Sequence, residues 1–484
     1  MHKAYLLITL LVALSLPSLT AQDTYVSREE MRQDLDYLVA FIERAHPNAY
    51  HYTPKADIDA LVADTKASLP DSLSRVDFWR VMHPVIVRYN DAHTRSYIKS
   101  FYREYVLEQE GRVLPLHMSV EGDVVTITDY RADVDNAVIL GESVVSINHV
   151  PIAEVVATLK SHASAELDYL DEGQLSRNFG YYLWMAYGWG EDVTIEIALR
   201  NGSTRKVTLP GATQADLMAY REAHAIAEPE QAVLQYRQLS DSVAYLRILN
   251  FYDHNPKTFK KKFKQIFEQI NAQAANRHLI LDFRGHDGGD SRPAVELGRY
   301  LSERPVAAVK HNLWKVTPEF KERFAMMYIP KNLRWLKPLY RLSMHTRSIW
   351  RTPDGENAVV KHPTKKPYGR KRRFTGDTYL LIDNGTFSAG SIFAGMFNHY
   401  DMGTSIGQPT GNLASFYADP IMWGRMPNSR LVFQVSASYQ VAPDGNTALE
   451  AVQPDLVVPV GVDLVQYALD RITATAELNA QAEQ

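Results

Sequence analysis

The spacing of apolar residues predicts helices in the first hundred residues. Ser27 and Glu30 have the spacing of a capping box, and apolar residues follow with helical periodicity at Met31, Leu35, Leu38 and Ile42. Further helices are predicted over residues 55–69 and 76–89. His93 follows the third helix in a polar loop. A side chain in such a loop can project towards a neighbouring domain, or it can simply be exposed.

The pattern changes to strands between residues 113 and 209. Strands are predicted over 124–127 and 193–197. Between them a short strand, a turn at Asn148, a second short strand and a helix follow one another. This order is typical of the second half of a PDZ domain, which binds an extended peptide at a sheet edge, and it fits another small β-rich domain equally well. An aromatic-rich helical insertion is predicted over 166–190.

Strands and helices alternate in the last part of the chain. Buried strands are predicted over 245–249, 279–283 and 379–382, with amphipathic helices over 258–272 and 293–301. Such alternation predicts an α/β domain. Together with the helical and β-rich parts, it predicts a multi-domain α/β (α+β) fold.

The strand at 379–382 is followed by a turn and by a helix that begins near Ser388. Serine is favoured as a helix N-cap, because its oxygen accepts a hydrogen bond from a free backbone N–H group. At the same position a serine can be a nucleophile, with the oxyanion held by those N–H groups and by the positive end of the helix. The local sequence leaves both roles open.

A glycine-rich loop, Arg284–Asp290, follows the strand at 279–283. It has neither of the glycine spacings that are typical of nucleotide-binding loops, and no lysine follows it. Its glycines would let the backbone approach a ligand closely, so that the N–H groups could form part of an oxyanion hole. A tight turn without a ligand is the alternative.

The composition is that of a globular protein and excludes several kinds of chemistry. With 484 residues, the chain is long enough for two or three domains. The formal net charge of −4 gives no general attraction to nucleic acid. There is no cysteine, which excludes disulfides, thiolate metal sites, a cysteine nucleophile and cysteine lipidation. No HExxH motif is present, so neither a metal site nor a cofactor is expected.

The first 21 residues are predicted to be a secretory signal peptide. Residues 4–16 form an apolar stretch that is shorter than a membrane span of about 20 residues. Small residues follow, and cleavage after Ala21 is expected; an uncleaved anchor is the alternative. The mature protein is therefore expected to be exported to a periplasm, the cell surface or beyond, with no stable membrane insertion.

The most basic part of the chain is residues 304–373, which contain 18 Lys and Arg but only 4 Asp and Glu. Aromatic residues are interleaved with the charges. Such a segment could bind an acidic substrate, an anionic lipid or nucleic acid. An insertion with a solvated basic face is the favoured interpretation.

Taken together, these motifs resemble the C-terminal processing peptidases, also called tail-specific proteases, and especially their tricorn-core-like branch. Asp91–Thr94 resembles the family's D-x-H-T loop, and 141–152 resembles its PDZ-like segment. Three later motifs also match, namely the D-x-R-G-N-x-G-G loop at Asp282–Gly289, the nucleophile turn at Thr386–Ser391 and the E-G-x-G-x-x-P-D segment at Glu450–Asp455. The resemblance implies a crotonase-like ββα catalytic domain with an N-terminal helical cap and a PDZ-like domain.

The resemblance also implies a division of the chain into parts. The expected order is a signal peptide (1–21), a helical domain (22–108), a PDZ-like domain with a helical insertion (109–215), a catalytic domain (216–470) that includes the basic insertion, and a polar tail (471–484) that frays.

The family's functional residues have counterparts here. By resemblance, Ser388 would be the nucleophile, His93 the general base and Glu450 the acid that orients the imidazole, directly or through a water or hydroxyl. The backbone N–H groups of Ala389 and Gly288 would form the oxyanion hole.

The sequence also departs from the family pattern. One branch has a lysine downstream of the serine, but Leu413 stands near that position, so a Ser–Lys dyad is not supported. Ser391 replaces the usual glutamate of the nucleophile turn. His286 stands where asparagine is common; it is the alternative base, and hydrogen bonding within its own turn is its other role.

The expected function is peptide-bond hydrolysis by an exported serine endopeptidase that acts on peptide or protein substrates. The alternative is a non-catalytic ligand- or peptide-binding member of the same fold, as the interphotoreceptor retinoid-binding proteins are. A cell-surface binding or scaffold protein is a third hypothesis. The presence of His93, Ser388 and Glu450 together favours the enzyme. No nucleic-acid partner is expected, and a homo-oligomer is left open.

Overall fold

The structure is a computed structural model that describes residues 25–134, 140–199, 201–224, 232–253, 255–328, 331–336 and 347–482. The predicted signal peptide, residues 1–21, lies outside these residues. The described helices and strands combine several separate sheets with packed helices. The mixed α/β, multi-domain fold expected from the sequence is confirmed.

The first part of the described chain is mainly helical, as predicted. Its elements are β1 (Tyr25–Ser27), α1 (Arg28–Ala45), α2 (Lys55–Ser68), β2 (Ser72–Ser74), α3 (Arg75–Val87), β3 (Arg95–Ser96) and α4 (Lys99–Leu107). Helix α1 begins with the predicted capping box, in which Ser27 and Glu30 satisfy each other's backbone N–H groups. Helix α3 ends at Val87, shortly before the loop that carries His93.

The middle part forms an antiparallel sheet with helices. Its elements are β4 (Leu116–Glu121), β5 (Val124–Tyr130), β6 (Ser143–Ile147), β7 (Val150–Pro151), α5 (Ile152–Lys160), α6 (Asp168–Tyr187), β8 (Asp192–Ala198), β9 (Thr204–Pro210) and α7 (Gln214–Ala223). The strand order is β4-β5-β6-β8-β9, and β7 pairs with β6. Helix α6 lies where the helical insertion was predicted, and PDZ-like function of this part stays a prediction.

The last part begins with elements on both sides of the glycine-rich loop. They are β10 (Leu234–Ser240), β11 (Val243–Ile248), α8 (Pro256–Ala272), β12 (His278–Asp282), α9 (Ser291–Leu301), β13 (His311–Lys315), α10 (Pro318–Tyr328), a 3₁₀ helix (Lys331–Leu336), α11 (Arg347–Arg351) and β14 (Asn357–Val360). The remaining elements are β15 (Asp377–Ile382), α12 (Ala389–His399), β16 (Thr404–Gly407), β17 (Phe416–Arg425), β18 (Val432–Val441), β19 (Leu456–Val457) and α13 (Leu464–Ala482).

Two sheets organise this last part. The first has the order β10-β11-β12-β15-β16-β19, with parallel pairing from β11 to β19. The second is antiparallel, with the order β14-β13-β18-β17. Strand β3 of the helical part also pairs with β18, placing Ser96 opposite Phe433. The loop of His93 is therefore joined directly to the second sheet.

Segment 304–373, the expected basic insertion, contributes two strands to the second sheet. Within its described residues, β13 pairs with both β14 and β18, and Trp314, Ala358 and Val360 are buried. Its place as an insertion into the catalytic domain stays a prediction. The tail was expected to fray, but the backbone of α13 is helical up to Ala482.

The apolar core is shared between the parts of the chain. One cluster includes residues of α1, α3, the middle sheet and the second sheet, such as Trp79, Ile195 and Phe433. Another fills the space between the parallel sheet and helices α8, α9 and α12. Among the described helices, none is both long and apolar enough to cross a membrane.

Asp34 fastens α1 to the turn that precedes β18. Its buried carboxylate accepts hydrogen bonds from the backbone N–H groups of Asn428 (2.9 Å) and Ser429 (2.8 Å). Buried N–H groups need an acceptor, because leaving one without a partner costs free energy. This polar contact therefore holds the helical part against the second sheet.

We expect Asp34→Ala to lower the free energy of unfolding by about 2–4 kcal/mol, because it removes the acceptor of two backbone N–H groups. The matched control is Asp36→Ala on the same helix. Asp36 is exposed and pairs with Lys66 at the surface, so its loss should cost less than about 1 kcal/mol. Urea unfolding followed by circular dichroism measures both, and equal losses would contradict the assignment.

Candidate active site

Two loops meet at the carboxyl ends of neighbouring parallel strands. Strands β12 and β15 pair in register, with Leu281 opposite Leu380. The loop after β12 and the turn after β15 therefore lie side by side. They are joined by hydrogen bonds from the Gly285 N–H group to Asp383 Oδ1 (2.9 Å) and from the Phe387 N–H group to the His286 carbonyl (2.8 Å).

Ser388 occupies the end of this turn in an uncommon backbone conformation. Its φ is 53° and its ψ is −115°, and helix α12 begins at the next residue. Its side chain makes no capping hydrogen bond. Instead, Ser388 Oγ lies 3.2 Å from Nε2 of His93. A strained strand-to-helix turn that exposes a serine oxygen is typical of a nucleophile, so the geometry favours this role over the N-cap.

His93 is held by contacts on several sides. Its ring is stacked between Phe387 and Phe416, with ring centroids 5.1 Å and 5.6 Å away and interplanar angles of 15°. Its carbonyl accepts a hydrogen bond from Gln434 Nε2 (2.6 Å), on β18. The residue is buried, and Nε2 faces Ser388 Oγ. The imidazole is therefore fixed in one orientation.

Asp91 shapes the loop that carries His93. Its carboxylate accepts hydrogen bonds from the His93 N–H group (2.9 Å) and the Thr94 hydroxyl (2.5 Å), and it contacts His46 Nε2 at 3.3 Å. Burial works to raise the pKa of Asp91, but the contacts with His46, His93 and Thr94 outweigh it and the pKa is lowered. Asp91 is therefore ionised and places a negative charge close to the base.

The protonation state of His93 follows from its surroundings. Burial lowers its pKa, although the charges of Asp91 and Asp419 act in the opposite direction. The ring is therefore neutral near pH 7. If Ser388 donates its hydroxyl proton to Nε2, the ring proton is on Nδ1. A contact with the Tyr417 backbone also works to raise the pKa of His93, because it favours the charged ring. The adjacent carboxyl groups would stabilise the imidazolium that forms when the base takes a proton.

Glu166 and Asn412 also belong to this site, and the sequence did not indicate either role. Asn412 Oδ1 accepts a hydrogen bond from the Ser388 N–H group (2.6 Å), and its Nδ2 donates to Glu166 Oε2 (3.0 Å). Glu166 Oε1 accepts from the Ala92 N–H group (3.2 Å). Glu166 precedes α6 and is remote from both loops in sequence, so no spacing rule could have found it.

The two predicted oxyanion donors differ in availability. Ala389 is the first residue of α12, so its N–H group has no acceptor within the helix. The Gly288 N–H group donates to His286 Nδ1 at 3.2 Å, and it could bind an oxyanion only by sharing or exchanging that bond. Gly288 nevertheless lies against the nucleophile, since a Cβ atom added to it would be 2.8 Å from Ser388 Cβ.

The alternative base, His286, is buried beneath the loop. Its Nδ1 accepts the Gly288 N–H group, and its ring stacks on Phe283 at 5.0 Å. Burial lowers the pKa of His286 to about 3. Of the two roles that the sequence left open for His286, these contacts favour hydrogen bonding within its own turn over that of a base. The contact with Ser388 Oγ is made by His93.

The structure shows no hydrogen bond between the Glu450 side chain and the described residues. Glu450 is exposed, whereas His93 is buried, and the described residues show no ion pair with its carboxylate. Only its carbonyl is used, as the acceptor of the Ala414 N–H group (2.8 Å). The orienting role of Glu450 therefore stays a sequence-based prediction. The carboxyl groups that the structure brings to the base loop are those of Asp91 and Glu166.

Two departures from the family pattern have physical explanations. Leu413 is buried in the apolar core, where a lysine would have to lose its hydration. The Ser391 hydroxyl donates to the carbonyl of Thr386 at 2.9 Å and so closes the nucleophile turn. A shorter side chain can therefore brace this turn in place of glutamate.

One oxygen of Asp91, one oxygen of Glu166 and a ring nitrogen of His93 lie within 4.8 Å of one another. By residue type such a group could hold a divalent cation. In this arrangement, however, both carboxyl groups already accept hydrogen bonds from the surrounding loops. The geometry is that of a polar network around a base.

Comparisons with known proteins identify the family of the last part of the chain. Residues 242–458 match peptidase family S41. No curated protein matches the sequence. The fold is similar to that of mature CPAF complexed with lactacystin, with a TM-score of 0.59 at 15% identity over 89% of this chain and 94% of that one. It is also similar to a CPAF mutant, with a TM-score of 0.61 at 14% identity over 89% and 93% of the two chains.

The resemblance to C-terminal processing peptidases is therefore confirmed at the level of the family. The S41 match includes Ser388, Gly288 and Glu450, but His93 and Glu166 lie before it. The serine-peptidase class follows from the family. The roles of individual residues do not, and they depend on the geometry described above.

The lowered pKa of His93 predicts how the reactivity of Ser388 changes at acidic pH. The base acts in its neutral form, so reactivity is lost as pH falls through its pKa in the folded protein, which lies below the ordinary value of about 6.5. We expect the second-order rate of fluorophosphonate labelling to fall with decreasing pH, with a midpoint below pH 6.5. A midpoint above pH 7 would contradict the assignment.

Gly288 predicts a steric test of the site. A methyl group at this position would meet Ser388 Cβ at 2.8 Å, in a backbone conformation with φ of 109°. We expect Gly288→Ala to reduce fluorophosphonate labelling by about 100-fold or more, because small displacements of reacting groups have effects of this size. Gly285→Ala is the matched control, since it has φ of 66° and no atom within 4 Å of the added carbon. Equal loss in both variants would assign the effect to backbone strain.

Proposed function

We propose that this chain, which carries a peptidase family S41 domain, is an exported serine endopeptidase with Ser388 as nucleophile and His93 as general base. The observation that carries the proposal is the 3.2 Å contact between Ser388 Oγ and His93 Nε2. The strained turn at Ser388, the free N–H group of Ala389 and the burial of His93 support it. Peptides or proteins would be the substrates.

In the proposed reaction His93 takes the Ser388 proton as the hydroxyl oxygen attacks a peptide carbonyl carbon. The Ala389 N–H group, with that of Gly288, would hold the oxyanion, and the positive end of α12 would add to its stabilisation. The imidazolium then gives its proton to the leaving amine, and water hydrolyses the acyl-enzyme by the same route. The ionised Asp91 near His93 would stabilise the imidazolium in both steps.

The alternative is a binding protein with the same fold. A binder has no need of a buried neutral histidine in contact with a strained serine, because neither feature increases affinity for a ligand. The geometry of His93 and Ser388 therefore favours the enzyme. The proposal of export rests on the apolar stretch and the small residues at positions 4–21 of the sequence.

The first test is labelling of the purified protein with a fluorophosphonate probe, with the adduct located by mass spectrometry. We expect an adduct on Ser388 in the wild-type protein. Ser388→Ala should abolish it, and His93→Ala should slow it by at least about 1,000-fold, because nucleophile and base act as a unit. His286→Ala tests the alternative base.

An adduct that persists in His93→Ala would keep the enzyme but contradict His93 as its base. No adduct on folded wild-type protein would favour the binding function. Circular dichroism of each variant at the labelling temperature provides the control for folding.

A further inference from the structure

The middle part of the chain reaches the candidate active site through residues 164–170, which we call the wedge. Ala165 and Leu170 of the wedge are buried together with Ala92, and the ring of Phe387 packs against this cluster. The wedge therefore lies between the loop of the base and the turn of the nucleophile. Its last residues form the start of α6, and α6 lies between β7 and β8 in the chain.

Polar contacts fasten the wedge on both sides. Ser164 Oγ donates to the carbonyl of Thr94 (3.3 Å), in the base loop. The Tyr169 hydroxyl donates to the carbonyl of Thr410 (2.7 Å), which precedes Asn412. Between these two contacts stands Glu166.

We propose that Glu166 is a positioning residue that ties the loop of the base to the turn of the nucleophile through Asn412. This inference rests on the proposed peptidase function and deepens it. It makes the middle part of the chain a component of the active site, although neither Ser388 nor His93 comes from that part.

The donors and acceptors in the hydrogen bonds that link Ser388, Asn412 and Glu166 can be assigned in only one way. A backbone N–H group can only donate, so the Asn412 atom that faces the Ser388 N–H group must be the oxygen Oδ1. The amide nitrogen of Asn412 then faces Glu166 and needs an acceptor there. The other Glu166 oxygen accepts from the Ala92 N–H group. Both oxygens of Glu166 are therefore required as acceptors.

The strained conformation of Ser388 gives this network its importance. A positive φ is unfavourable for a residue with a side chain, so surrounding contacts must hold it. The 2.6 Å bond to Asn412 restrains the N–H group of Ser388 itself. Glu166 in turn restrains the Asn412 amide, and through Ala92 it restrains the residue next to His93. The hydrogen bonds of Glu166 go to these neighbours and not to Ser388 Oγ or the His93 ring, so it acts through them.

The charge state of Glu166 suits this role. Burial and the nearby Asp91 raise the pKa of Glu166 to about 8, so near pH 7 it is mostly neutral. In the neutral form the hydroxyl oxygen still has a lone pair that accepts a hydrogen bond, which the amide nitrogen of a glutamine lacks, so both loops can be held without a second negative charge beside Asp91. The tyrosines Tyr52 and Tyr169, which also face it, have raised pKa values and stay neutral in the same range.

The test is a swap of donor and acceptor between positions 166 and 412. In Glu166→Gln the side-chain NH₂ group must face a donor, either the Ala92 N–H group or the Asn412 amide. In the double variant Glu166→Gln/Asn412→Asp, the glutamine NH₂ group can donate to the new carboxylate. The other carboxylate oxygen can then accept the Ser388 N–H group, so the complement of donors and acceptors is restored.

The matched control is Glu172→Gln on α6. Glu172 also accepts from one side chain, Lys160 (3.0 Å), and from one backbone N–H group, that of Gly122 (3.1 Å), but both bonds are made to Oε1 and neither partner belongs to the site. Because a glutamine at this position keeps that oxygen, the control reports the effect of removing a carboxylate from α6 without the loss of an acceptor.

Two readouts are measured on each folded protein. The first is the second-order rate of fluorophosphonate labelling at Ser388. The second is hydrogen–deuterium exchange of the peptide that contains residues 383–392, which does not depend on activity. We expect Glu166→Gln to slow labelling by about 10–100-fold and to speed exchange in this peptide, because the nucleophile turn loses its restraint. The double variant should recover most of the labelling rate and most of the protection from exchange. Glu172→Gln should match the wild-type protein in both readouts.

The inference is overturned if Glu166→Gln labels and exchanges like the wild-type protein, or if the swap recovers neither readout. It is also overturned if Glu172→Gln shows the same losses, because the role would then be structural only. If the wild-type protein gives no adduct, the proposed peptidase function fails. The exchange of residues 383–392 then still decides whether Glu166 holds the turn.

Discussion

The hydrogen bond between Ser388 and His93 joins residues 295 positions apart, and no local element holds it in place. It depends on the pairing of β3 with β18, which brings the base loop to the second sheet. It also depends on the Gln434 amide, which fixes the carbonyl of His93. The shared apolar core then keeps the helical part and the two-sheet part in one relative position. The site is therefore a property of the assembled chain and of no single segment.

The positive φ of Ser388 and the burial of the His93 imidazole both cost free energy, and nearby contacts offset this cost. A residue with a side chain at positive φ costs of order 1–3 kcal/mol. Around Ser388 this cost is offset by hydrogen bonds to the Thr386 carbonyl from Gly411 and Ser391, in addition to the bond from Asn412. The stacking of His93 between two phenylalanines likewise compensates for taking an imidazole out of water. The turn can be rigid because every polar atom that braces it has a partner within a few residues or on an adjacent loop.

The sequence predicted the parts of this arrangement that depend on local periodicity. The strands 279–283 and 379–382 and the helix after Ser388 follow from runs of apolar residues, and parallel pairing puts their loops at one edge. The resemblance to C-terminal processing peptidases added His93, which local pattern alone could not distinguish from an exposed histidine. Glu166 and Asn412 could not be predicted, because they meet through tertiary docking and have no characteristic spacing. Strands β13 and β14 within segment 304–373 were not predicted either, because the interpretation of that segment rested on its count of charges.

Strand β18 has a further consequence for the way in which this protein is made. The ribosome synthesises His93 early and Gln434 some 340 residues later. Until β18 has been made, β3 lacks its partner strand and the His93 carbonyl lacks its bond to Gln434. A nascent chain therefore lacks the supports of the contact between His93 and Ser388 on which the proposed function rests. In that proposal, synthesis of β18 is the step that completes the site.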